Sequence, residues 1–272
     1  MELCKVSSDF DAHELNCYIS GPADNQHYIL VILPFGADCS ITTHFAAKFP
    51  LSRVITWECR GIFDTSLSTF TNAMRIHVED GVSIIRSFQL DRFTLVGYCS
   101  GAALSLLLLR IFQSKVSSAH LVSGEFSLKE DKYTTLKAAE VDSLLKLCAR
   151  DISFCDAVSK SFREMDPTED EYSTFFNTPY FKGETLYRYA NNYLAFIAQN
   201  FISDVDKNDV KTFFYASVDD TIASASGSEF LSQNTPKSSI RLGNFGDHYQ
   251  FCSHNSKMQS LVIEDINKET GL

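Results

Sequence analysis

In Leu95-Val96-Gly97-Tyr98-Cys99-Ser100-Gly101-Ala102 an apolar strand pattern runs through Gly-x-Cys-x-Gly straight into a helical one. A strand that becomes a helix without an intervening loop crowds the backbone around the residue at the bend. The positions two before and two after it must then be small, which Gly97 and Gly101 satisfy. Cys99 is left at the tip, its sulfur at a helix N-terminus whose free N–H groups and dipole favour negative charge. The N–H of Ser100, first in that helix, faces the oxygen of any carbonyl attacked by that sulfur. The segment is not a phosphate-binding turn, because it lacks the third glycine and no acidic residue follows at the usual distance.

Around this bend, β-rich runs alternate with helical patterns. His27 to Pro34 and Arg53 to Cys59 are nearly unbroken apolar runs, as expected of strands buried on both faces of a parallel sheet. Arg92 to Tyr98 and Ser118 to Phe126 continue the series. Helical patterns fall at about Thr42 to Lys48, Ile76 to Ser87 and Ala102 to Phe112. From about Glu130 to Asp206 the rhythm breaks into amphipathic stretches, Val141 to Val158 and Glu184 to Ile202, dense in aromatics that include Phe175, Phe176, Tyr180 and Tyr189. Strand patterns resume at Lys211 to Ser217 and Ser238 to Gly243, and a helix near Ser253 to Lys268 closes the chain. The expectation is an α/β core, residues 1–129 and 207–272, with a mostly parallel central sheet flanked by helices. Residues 130–206 form a helical insertion.

Composition sets the outer limits. The 272 residues suffice for one large α/β domain, and 44% apolar with 21% charged residues is ordinary globular chemistry. A net charge of −10 argues against a nucleic-acid binder. No apolar run, Leu106 to Leu109 included, approaches the length of a membrane span, and the N-terminus shows no basic segment followed by an apolar one. Eight cysteines without a CxxC pair argue against a zinc or thioredoxin-type site and fit reduced thiols in a cytoplasmic protein. No metal or cofactor is implied.

The Gly-x-Cys-x-Gly bend resembles the nucleophile elbow of the α/β-hydrolase superfamily, with Cys where Ser is commoner. The resemblance covers about residues 14–128 and 208–260. It implies an acid after the next-to-last strand and a histidine after the last. Asp220 in Ser217-Val218-Asp219-Asp220-Thr221 best fits the acid position, with Ser217 where the family has glycine and Asp219 as a competitor. His248, in the loop after Ser238 to Gly243, fits the base. The other six histidines read as structural or solvated, and Glu79 and Asp80 as a solvated helix face. The second oxyanion donor would come from Pro34-Phe35-Gly36, with Gly36 as the candidate. Pro34 and Phe35 depart from the usual His-Gly pair. Phe35, Tyr98 and Tyr249 are candidate substrate contacts. Glu58 and Arg60, at the same sheet edge, either grip a polar substrate group or form an ion pair that fixes their loop.

A thiol nucleophile favours thioesters, since attack exchanges one thioester for another and keeps the acyl group activated. The resemblance therefore extends to Cys-bearing thioesterases and acyltransferases of polyketide and nonribosomal peptide assembly. It implies acyl groups delivered on acyl carrier protein or coenzyme A. Dienelactone hydrolases, which use Cys on lactones, supply the alternative of a small ester or lactone hydrolase. A carbon–carbon lyase or cyclase, or a non-catalytic receptor on the same fold, also stays open. The insertion lies where family lids lie, and its aromatics either line an acyl tunnel or bind lid helices to one another.

Overall fold

The structure is a computed structural model that describes residues 1–23, 27–63, 73–164, 176–201 and 208–271. Its strands are β1 Glu2–Ser7, β2 Glu14–Ser20, β3 Tyr28–Ile32, β4 Arg53–Trp57, β5 Phe93–Tyr98, β6 Val116–Val122, β7 Thr212–Ser217 and β8 Ser238–Gly243. They form one sheet in the order β1-β2-β4-β3-β5-β6-β7-β8. The pairs from β4 to β8 are parallel, and β1–β2 and β2–β4 are antiparallel. The helices are α1 Thr43–Ala46, α2 Ala73–Ser87, α3 Ser100–Phe112, α4 Leu136–Cys148, α5 Ile152–Glu164, α6 Gly183–Ile197, α7 Ala225–Asn234 and α8 Lys257–Thr270.

Strands β3 to β7 bury both faces, so successive side chains serve two cores. Leu30, Ile32, Ile55, Leu95, Leu121 and Phe214 pack with α2, α3 and α7 through Ile84, Leu108 and Leu231. Their neighbours Ile29, Val31, Val54, Val96 and Tyr215 pack on the other face with Phe45 of α1 and Met258, Val262 and Ile266 of α8. Helices α4, α5 and α6, inserted between β6 and β7, have a small core of their own around Leu145, Cys148, Cys155, Leu186 and Ala190. Phe196 of α6 enters the main core, and Asn192 Oδ1 meets His77 Nε2 of α2 at 2.9 Å, so the insertion is anchored on the sheet's helical layer.

The sequence reading missed the β1–β2 hairpin. It lies at the sheet's edge, where half-exposed residues such as Cys4, Tyr18 and Ile19 do not make a buried apolar run. The stretch Val141 to Val158 is two helices, because Asp151 Oδ1 accepts the Ser153 N–H (2.8 Å) and starts α5 afresh after α4 ends at Cys148. Asp80 is not on a solvated face. It is fully buried and ion-paired to Arg60. Among the described residues no helix is long and apolar enough to cross a membrane.

Polar groups buried in the sheet make stability depend on acid. His120 of β6 is fully buried, with Nε2 3.1 Å from Ser118 Oγ and Nδ1 2.9 Å from the Tyr215 hydroxyl, which donates in turn to Asp265. Burial holds the ring neutral and drops its pKa to about 3, against the pull of Asp265. The native state thus binds fewer protons than the unfolded chain, so stability is full above the ordinary histidine pKa and falls as pH drops below it. From pH 7 to pH 5 this ring alone costs about 2 kcal/mol. Urea unfolding at the two pH values should show that loss in the wild type and a smaller one in His120→Gln.

Candidate active site

The chain passes from β3 to β4 on one side and later returns to β5 on the other, so the strand order reverses between β3 and β5. Connections leaving their carboxyl ends diverge there and open a crevice, the usual ligand position in such sheets. Both segments singled out in the sequence, Pro34-Phe35-Gly36 and the Cys99 bend, leave strands at that point.

Cys99 has φ 52° and ψ −124°, outside the regions comfortable for a residue with a Cβ, and α3 starts at the next residue. The glycines are needed as anticipated: a Cβ at Gly101 would strike the Ile32 carbonyl, and one at Gly97 would crowd Ala102 Cα at 2.7 Å. The bend holds the thiol half-buried, close enough to the His248 ring to act on its charge. His248 Nδ1 lies 2.8 Å from Asp220 Oδ2. Asp220 is itself fixed, since its Oδ1 accepts the N–H groups of Ile222 (2.8 Å) and Ala223 (2.9 Å). Asp219, in contrast, is exposed and accepts from Asn244 Nδ2. Ser217, where the family has glycine, links the two loops: its Oγ accepts from the N–H groups of Asp219 (3.3 Å) and Phe245 (3.1 Å).

Burial alone would push the His248 pKa down, but the Asp220 carboxylate and the Cys99 thiol reverse this and hold it well above the ordinary histidine value. With Nδ1–H donated to Asp220, Nε2 is the nitrogen toward the sulfur.

Tyr98 is fully buried and is not a substrate contact. Its hydroxyl donates to the His248 carbonyl (2.7 Å), and its ring stacks on the imidazole with centroids 5.5 Å apart. In Tyr98→Phe that buried carbonyl loses its donor, at a cost of about 1–3 kcal/mol. The loosened His248 loop should lower kcat roughly tenfold with little change in KM. Steady-state kinetics beside urea unfolding measure both effects.

Three other substrate candidates also have structural duties. The Phe35 ring is buried against His77 and Phe196 (centroids 4.9 and 5.6 Å). Its N–H donates to Ser100 Oγ (3.1 Å), tying the β3 loop to the start of α3. Glu58 accepts from Asn16 Nδ2 (2.9 Å) and Tyr18 OH (2.6 Å), which joins β4 to the edge hairpin. Arg60 is buried, paired with Asp80 and with Asp11 (2.7 Å), and donates to Ser8 Oγ. Of the two readings offered for Glu58 and Arg60, fixing the local structure is the one that matches these contacts. The pairing differs, however: each binds the N-terminal segment rather than the other.

Gly36 has φ 75° and faces the insertion, where a Cβ would press on Pro179 Cγ and the Tyr189 ring at 2.6 and 3.2 Å. Phe176 stands between Tyr98 and Tyr249 (centroids 5.7 and 5.1 Å), so the half-buried Tyr249 and an aromatic from the insertion flank His248. Pro179 carries no signal in the sequence. Phe176 and Tyr189 were visible only as members of an aromatic-rich stretch, and Phe175 lies outside the described residues. Glu125, just beyond β6, was also missed. Its N–H donates to the Cys99 carbonyl (3.1 Å), and a carboxylate at that sheet edge was the available clue. All eight cysteines are free thiols, and among the described residues no group of three or more His, Cys, Asp or Glu could hold a metal ion.

Residues 53–252 match the family described as alpha/beta hydrolase fold, and the chain belongs to that family. A search of curated proteins finds no match. Among solved structures the chain is similar to an esterase from Exiguobacterium antarcticum, with TM-score 0.75, 16% identity, and 98% of this chain and 99% of that one covered. It is also similar to the enol-lactonase from Burkholderia xenovorans, with TM-score 0.74, 14% identity and both chains covered in full. A hydrolase from Pseudomonas aeruginosa gives TM-score 0.77 at 13% identity, over 99% of this chain and 98% of that one. At these identities the likeness is one of fold.

Proposed function

We propose that this chain is an acyl-transferring hydrolase that works through an S-acyl enzyme on Cys99, with thioesters as its substrates. The observation that carries the reading is the Cys99 thiol on a strained strand–helix bend beside an imidazole whose Nδ1 is held by Asp220 Oδ2 at 2.8 Å. In the first half-reaction the Cys99 thiolate forms a bond to the acyl carbon, and the carbonyl electron pair moves onto oxygen. The amides of Ser100 and Gly36 hold that oxyanion. On collapse the bond to the leaving group breaks, and His248 gives its Nε2 proton to the departing sulfur or oxygen. In the second half-reaction His248 takes a proton from water or another acceptor as it attacks the thioester, and the Cys99 thiolate leaves. Asp220 holds the ring's orientation and stabilises its charge throughout.

Helices α4 to α6 act as a lid in this reading, with Phe176 and Tyr189 toward the acyl group. A coenzyme A or acyl carrier protein thioester met in the cytoplasm is the proposed substrate. Oxygen-ester or lactone hydrolysis is the second reading, favoured by the esterase and enol-lactonase among the similar folds. Thioester and oxygen ester of one acyl group separate the two. Thioesterase chemistry predicts kcat/KM at least roughly tenfold higher for the thioester after correction for uncatalysed reactivity, and equal or inverted values would favour the ester reading.

A further inference from the structure

A cleft of about 710 Å³ opens between the β6–α4 connection and α6, with Glu125, Lys129, Asp142, Lys146 and Tyr193 among its lining residues. We propose that this cleft is a subsite for the leaving arm of the substrate, and that Glu125 holds an N–H or O–H donor on that arm. The inference rests on the reading of Cys99 as nucleophile.

The sheet order carries the placement. Gly36 follows β3 on one side of β5, and Glu125 follows β6 on the other, toward the strand that bears Asp220. A carbonyl on Cys99 with its oxygen toward Gly36 therefore has its leaving group free to run to the Glu125 side. Glu125 stands beside the bend: its N–H bonds the Cys99 carbonyl (3.1 Å), and its carboxyl feels the charges of His248 and Asp220. The acid loop borders the same cleft: Thr134, another lining residue, bridges to Ala223, and Thr135 Oγ1 donates to the Ile222 carbonyl (3.2 Å).

The chemistry of the arm follows from what Glu125 lacks. One of its oxygens accepts the Ser127 N–H (2.7 Å), but a carboxylate has about four acceptor positions. The Lys129 ammonium in the same cleft donates to Ser127 Oγ (3.2 Å) and to the Ile197 carbonyl. Among the described residues no cation pairs with Glu125. Asp142, held by the Tyr193 hydroxyl (2.6 Å), adds a second carboxylate to the same cleft. Burial first, then Asp142 and Asp220, raise the Glu125 pKa to about 7, against the Ser127 N–H and the more distant His248. A donor from the substrate supplies what this carboxyl is missing, whereas a hydrocarbon arm would bury it further.

The test uses butyryl thioesters of three thiols of similar size: N-acetylcysteamine with an amide donor, an aminoalkanethiol with an ammonium donor, and pentanethiol with none. The wild type should favour a donor-bearing thiol over pentanethiol by about tenfold in kcat/KM, and Glu125→Leu should bring that ratio near one. Glu125→Gln separates the donors, keeping preference for the amide and losing it for the ammonium. No preference in the wild type, or one unchanged in Glu125→Leu, overturns the subsite. Ligand-observed NMR with N-acetylethanolamine reads the cleft without chemistry, and its binding should be lost in Glu125→Leu. Binding that depends on Glu125 in a protein whose Cys99 never acylates would sink the nucleophile reading alone. Acylation of Cys99 with neither Glu125-dependent preference nor binding would sink the subsite alone, and absence of both sinks both.

Discussion

Cys99→Ala should lower kcat/KM for an activated acyl thioester by on the order of 10³–10⁶-fold, with the folded structure intact. The size follows from the role: no second nucleophile is presented at the bend, and what the oxyanion donors and binding retain is a small remainder. Survival of the fold follows from the backbone. The strain at φ 52° is borne by any residue with a Cβ, and alanine adds none. The thiol is only half-buried, so its removal leaves no closed cavity in the core. Initial rates with a chromogenic thioester, beside a thermal melt, separate loss of chemistry from loss of structure. An alanine variant within tenfold of wild type would rule out covalent catalysis at Cys99.

Asp220→Asn should lower kcat roughly 10³–10⁴-fold, whereas Asp219→Asn should cost less than about threefold. Asparagine keeps an Oδ1 for the Ile222 and Ala223 amides, so the loop stays closed. Its NH₂, however, faces His248 Nδ1 as a donor. The imidazole must then carry its proton on Nε2, the atom needed to accept one. Loss of the carboxylate also removes a main cause of the raised His248 pKa. Any alkaline limb set by the imidazolium should therefore move to lower pH in Asp220→Asn, and a pH–rate profile checks that sign. Asp219 points to solvent and Asn244, so its substitution touches neither.

Legibility in the sequence tracked burial. Strands β3 to β7 fall within a few residues of their expected ranges, because doubly buried strands leave continuous apolar runs, whereas Ser238–Gly243 coincides with its expected strand although it is a half-exposed edge. The bend at Cys99 was readable because glycine is demanded there by clashes with Ile32 and Ala102. The edge hairpin was not, since its faces are half wet. The roles of Arg60 and Asp80 depend on a buried pairing across 20 positions that no local pattern announces. Tyr98 looked like a site residue from its place beside Cys99, yet strand alternation turns it under the sheet to support His248. Pro179 and Tyr189 reach the site only through the packing of the insertion on the core.

The most direct test of the account is rapid-quench intact-mass spectrometry of the wild type with a butyryl thioester, followed by peptide mapping across all eight cysteines. One butyryl adduct is expected, formed at a rate no slower than turnover and confined to the peptide that carries Cys99. Turnover with no adduct, or with the adduct on another residue, would contradict it.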